Sequence, residues 1–162
     1  MSTIFPASGK TFLAVGAKEL ATTIYVAIGN GNAGWGGSPP APSSGDIALT
    51  AEVGRIRAAE VTYATPDAGG TIETDLGTFT ASATPTNYLY IRGVIAKTSA
   101  VGQTIREAGV FGACVPPVGA AANDFIAPAS MEDTGILLGV SRFVGFVRSA
   151  SESQTFEFVI EL

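Results

Sequence analysis

The 162-residue chain has no histidine, one cysteine and a net charge of −5, which rules out an internal disulfide, a cysteine-cluster metal site and imidazole as base or ligand. The acidic balance and the lack of basic runs argue against nucleic acid, whose phosphates require clustered Lys and Arg. Apolar runs broken by Gly, Ser and Arg argue against membrane insertion, and a charged fraction of 14%, where about 25% is usual, predicts surface covered by partner subunits.

Taken in chain order, the pattern predicts an all-β protein: a β-sandwich of about seven or more mainly antiparallel strands, with one short helix and long Gly/Pro-rich loops. The length fits a single domain over 1–162, with 1–23 as an N-terminal attachment segment. Thr11–Val15 reads as a first strand, and Phe12–Ala17, followed at once by Lys18 and Glu19, is too short for an export signal. Ile24–Ile28 is a strand that runs into the Gly29-Asn30-Gly31 turn. The Gly/Pro-rich stretch 32–45 around Trp35 must be irregular. A tryptophan there either covers its own domain's core edge or anchors a partner.

Ser43 and Asp46 have capping-box spacing, so Ile47–Val53 is expected to form one or two helical turns that Gly54 stops. Arg57–Thr65 reads as a strand, and Thr71–Thr84 as its hairpin partner, with Glu73 and Asp75 on an exposed edge. Asn87–Lys97 alternates with bulk on both faces, Leu89, Ile91 and Ile95 against Tyr88, Tyr90 and Arg92. Thr104–Ala113 reads as a central strand, Ile136–Arg148 as a long bulky one, and Gln154–Leu162 as a half-buried closing strand with Phe156, Phe158, Ile160 and Leu162 on one face. The core is expected to draw on Ile105, Val110, Phe111, Val144, Phe146, Phe156, Phe158 and Ile160, with Cys114 as a small core hydrophobe.

Charged residues inside this apolar pattern need partners. Arg106 and Glu107 alternate across their strand, so each requires its own. Arg106 is expected to pair with Glu52 or Asp46, and Glu107 with Arg55 or with backbone donors. Asp46, Glu52 and Arg55 are thus read as structural ties, not as catalytic groups or ligands. The loop from Val115 to Gly135 carries Asp124, Glu132 and Asp133 without the spacing of a calcium loop, so no metal and no cofactor are expected. Loops of this length are usually covered, and Trp35, Phe125, Ile126 and Met131 are the expected partner contacts.

Four pieces in order resemble the N-terminal domain of bacteriophage tail-collar and tail-fibre proteins: Ile28-Gly29-Asn30-Gly31, Asp46 to Arg55, Ile105 to Phe111, and Thr155 to Leu162. The resemblance implies a non-enzymatic structural protein of the virion tail, made in the host cytoplasm. It would dock a tail fibre or another component onto the tail or baseplate, as a homo-oligomer with a trimer the first expectation. No shaft or receptor-binding tip follows within the sequence, so docking is expected ahead of receptor binding. The alternative is a carbohydrate- or host-receptor-binding module that stacks sugars on Trp35, Tyr88 and Tyr90. A glycosidase using Glu73 and Asp75 ranks well below both, since nothing signals an apolar pocket to raise an acid's pKa.

Overall fold

A computed structural model describes residues 4–162; residues 1–3 of the expected attachment segment lie outside the described residues. Among the described residues, helix α1 (Ala7–Glu19) is followed by nine strands. They are β1 (Tyr25–Gly29), β2 (Glu52–Arg57), β3 (Glu60–Pro66), β4 (Ile72–Thr74), β5 (Gly77–Ser82), β6 (Tyr88–Ile95), β7 (Thr104–Gly112), β8 (Ile136–Val147) and β9 (Gln154–Glu161). Every ladder is antiparallel, in a four-stranded sheet ordered β2-β1-β7-β8 and a five-stranded sheet ordered β4-β5-β3-β6-β9. The all-β sandwich predicted from alternation is the fold observed, and β7 is an interior strand.

Two sequence expectations are corrected at the N-terminal half. Thr11–Val15 is not a strand but the middle of α1. Gly9, Gly16 and the β-branched Thr11 and Val15 weaken its local helix signal, and tertiary contacts override it. Pro6 stands at the N-cap, Ala14 is fully buried, Lys10 pairs with Glu161 at 3.1 Å, and Lys18 lies 4.4 Å from the centre of the Tyr63 ring. Conversely, Ile47–Val53 forms no helix. The Ser43 N–H does donate to Asp46 at 2.8 Å, but this closes a turn, because Glu52 onward is claimed by the ladder with β1. Arg57–Thr65 also divides at Ala58 and Ala59 into β2 and β3, and 71–84 into the β4–β5 hairpin.

The main core lies between the sheets, from Ile24, Val26, Ile28, Ile105 and Val110 on one side to Tyr63, Leu89, Ile91 and Phe158 on the other. Gly93 sets the closeness of the sheets, since a Cβ there would stand 2.5 Å from the Cβ of Val26. Phe146, Phe156 and Ile160 pack on this core as expected, whereas Val144 is 60% exposed. The cause is a register shift: Ile105 faces Phe146 but Glu107 faces Arg142, so two steps of β7 span four of β8 and the alternation is broken in between.

Both outer faces carry smaller cores of their own. The five-stranded sheet curls until β4 lies beside β9, enclosing Ala64, Ile72, Phe79, Tyr90 and Val159. This is why β6 has bulk on both faces. The outer face of the four-stranded sheet presents Tyr25, Ala27 and Phe111, covered by Leu49, Cys114 and Ile126 from the long loops.

Candidate functional site

Glu52, Arg55, Asp46 and Glu107, singled out in the sequence, serve that loop-covered face. Arg55 is 1% exposed, and its guanidinium forks onto both carboxylate oxygens of Glu52, at 2.7 and 2.6 Å. It also donates to the Thr134 carbonyl and to Cys114 Sγ at 3.4 Å, and lies 4.1 Å from the centre of the Phe111 ring. Burial alone would lower the Arg55 pKa, but the Glu52 carboxylate outweighs it and holds the guanidinium above its ordinary value. Backbone bonds of 2.8 Å each way between Arg55 and Ile126 complete the clamp. The effect is to fasten the loop 113–135 onto β2.

A second clamp holds the Gly/Pro-rich loop. Glu107, fully buried, accepts from the Ala51 N–H at 2.8 Å. Arg142 lies opposite it, bonded to Asp46 at 3.1 Å and to the Ala41 carbonyl at 3.3 Å, and 5.4 Å from the centre of the Trp35 ring. One expected pairing is therefore wrong, and the other takes the second of its two forms. Arg106 meets neither Asp46 nor Glu52 but donates to the Asn30 carbonyl at 3.1 Å, whereas Glu107 takes a backbone donor, one of the two partners expected for it. Arg142, from the adjacent strand, does what Arg106 was expected to do. Sequence spacing alone does not show which strand will lie beside β7.

The residues expected as partner contacts lie against the chain's own sheet. Ile126 is buried, Phe125 rests on Gly54, where a Cβ would stand 2.5 Å from its ring, and Met131 packs on the outer core. The Trp35 ring folds back over Gly31, where a Cβ would approach within 2.3 Å. All four spend apolar surface on this chain's own sheet, because the ladder bond to Arg55 and the Arg142 clamp draw both loops inward. The loop's carboxylates are dispersed rather than gathered: Asp124 accepts from the Ala121 N–H at 2.7 Å and Asp133 from the Gly135 N–H at 2.8 Å, each shaping its own turn. Among the described residues no group of three His, Cys, Asp or Glu side chains stands together as metal ligands. Nor do Trp35, Tyr88 and Tyr90 form a platform, since Tyr90 is buried in the curled sheet and Tyr88 packs against Phe79.

The uncovered apolar surface is elsewhere. On α1, Phe12, Leu13 and Leu20 are 75%, 47% and 56% exposed, and at the start of β8, Ile136 and Leu138 are 67% and 40% exposed. Between them runs an apolar groove of about 160 Å³, lined by Ala17, Leu20, Ile24, Ala113, Ile136 and Leu138 among others. Both lysines of the helix are engaged elsewhere, Lys10 by Glu161 and Lys18 by Tyr63, so neither interrupts this face. Sequence reasoning missed it because α1 was not recognised as a helix.

Compared with known families, residues 2–162 match the one described as baseplate wedge 3 tail fiber network component. The chain belongs to that family. No curated protein matches it. A baseplate wedge and tail-fibre network component is a structural protein of the phage tail, so the tail-structural role implied by the sequence resemblance holds. No helix among the described residues is long and apolar enough to cross a membrane.

Proposed function

We propose that this chain is a non-catalytic docking module that joins a tail fibre or another tail component to the baseplate through protein–protein contacts, with copies of itself among its neighbours. The observation that carries the reading is the apolar face formed by α1 and the start of β8, where exposed Phe12, Leu13, Leu20, Ile136 and Leu138 flank an apolar groove. Area supports it. The accessible surface is 8546 Å², where a compact monomer of 16.4 kDa is expected to expose about 7500 Å². The excess is comparable to the roughly 800 Å² that each partner contributes to a standard interface. The two clamps tie both long loops to the sheet, which limits the entropy those loops would lose on docking.

The test is a Leu20→Asp, Ile136→Asp double variant of the full chain, compared with wild type by thermal melting, by mass in solution and by incorporation into assembled tails. Both residues are exposed, so the melting temperature is expected to hold while assembly is lost. Normal assembly by a folded double variant would overturn the reading.

A further inference from the structure

The edge of β8 is open. It is the longest strand, at 12 residues, and it forms the border of the four-stranded sheet with β7 as its one ladder partner. Among the described residues no backbone group from any loop bonds to its far side. Edges of this kind are ordinarily blunted by Pro, by Lys or by an inward charge, because their unpaired N–H and C=O groups are templates for another strand. β8 has no Pro and no Lys, its single charge, Arg142, is bonded to Asp46 and Ala41, and its two register shifts fall on either side of 139–142, where the ladder is regular.

Beside residues 139–143 of this edge lies a cleft of about 500 Å³. Its far side is β9 from Glu157 to Ile160 and the β4–β5 turn from Glu73 to Leu76. The ionisable groups on that side are all acidic, Glu73, Asp75 and Glu157, the last accepting a bond from the Tyr90 hydroxyl. The nearby cation, Arg142, is already engaged by Asp46. A second copy pairing edge to edge would bring the same three carboxylates toward their own counterparts. A strand with basic side chains would meet them with opposite charge while its backbone satisfied β8.

We infer that the free edge of β8 receives an extended, Lys- or Arg-bearing segment of a neighbouring baseplate or tail-fibre protein, added as a fifth strand in this cleft. The inference rests on the docking reading and names a second contact of that same assembly. Overlapping twelve-residue peptides that tile the virion's other baseplate and tail-fibre proteins are the probe, screened against the full chain by fluorescence anisotropy. The bound state is then mapped by hydrogen exchange. The expected binders carry two or more basic residues, slow exchange within 139–143, lose affinity when alternate amides are N-methylated, and bind about tenfold more weakly to a Glu73→Lys, Asp75→Lys variant. Absence of any binder, binders not enriched in Lys and Arg, or protection confined to α1 would overturn the inference. The docking reading is judged separately, by whether the Leu20, Ile136 variant assembles.

Discussion

Glu107 and Arg142 face each other across the β7–β8 ladder, with Arg142 Nε 4.0 Å from Glu107 Oε2 and Glu107 Oε1 held by the Ala51 N–H. A carboxylate with no exposed surface thus has a single backbone donor and a single guanidinium. Removing the guanidinium leaves the buried carboxylate with the Ala51 N–H alone, so Arg142→Ala is expected to cost about 3–5 kcal/mol in urea unfolding. Arg106→Ala, which loses one bond to a backbone carbonyl, should cost about 1 kcal/mol. Trp35 is the chain's one tryptophan and lies on the same clamp, so its emission should shift to the red in the Arg142 variant and stay put in the Arg106 variant. Similar losses in both would show that Glu107 does not depend on Arg142.

Arg55 should be at least as sensitive. Arg55→Ala strands Glu52, whose side chain is 10% exposed, and is also expected to cost about 3–5 kcal/mol. Arg55→Lys should recover little, because an ammonium cannot reproduce the two-pronged contact. The neighbouring Cys114 thiol is pushed up by burial, against the opposing pull of Arg55. It should therefore resist alkylation at pH 8 until the chain unfolds, and equal rates in native and denatured protein would contradict the geometry.

Gly93 is predicted to be the least replaceable residue of β6. A methyl group there meets Val26, which is fully buried, so Gly93→Ala should destabilise by about 1–3 kcal/mol or more through overpacking. Pairing it with Val26→Ala should recover part of the loss, so that the double variant is more stable than the sum of the singles. Strict additivity in denaturation would mean that the sheets are not in contact at this point.

Acid should loosen two loops. Asp46 is held below its ordinary value by the Ser43 N–H and then by Arg142, and Asp67 by the Gly69 N–H and then by the Thr80 hydroxyl. For a carboxyl whose pKa is depressed on folding, the stabilisation is complete above the unfolded value of about 3.9 and is lost as pH falls through the lower folded value. Urea midpoints should be flat near neutrality and decline below about pH 4. Asp46→Asn should flatten part of that decline, and an unchanged profile would remove Asp46 from it.

The sequence by itself determined the sheet class, β1, the strands from β6 onward and most of the inner core, because period-two alternation bounded by Gly and Pro depends on each segment alone. Phe156, Phe158 and Ile160 were readable for that reason, and so was the need for Arg106 and Glu107 to be partnered. Tertiary structure alone decided who the partners are. Arg142 is thirty-five residues from Glu107 in the chain, and only the β7–β8 register, shifted by a bulge, sets it opposite. Tertiary structure also decided that 7–19 is a helix, since Ala14, Lys10 and Lys18 stabilise it through β9, β3 and the core rather than through local propensity. With that helix came the apolar face. The loops around Trp35 and Phe125, whose composition suggested partner contacts, are held on their own sheet by Arg142 and Arg55. A buried charge must be satisfied wherever the fold puts it, and satisfying these two fixed what remains exposed.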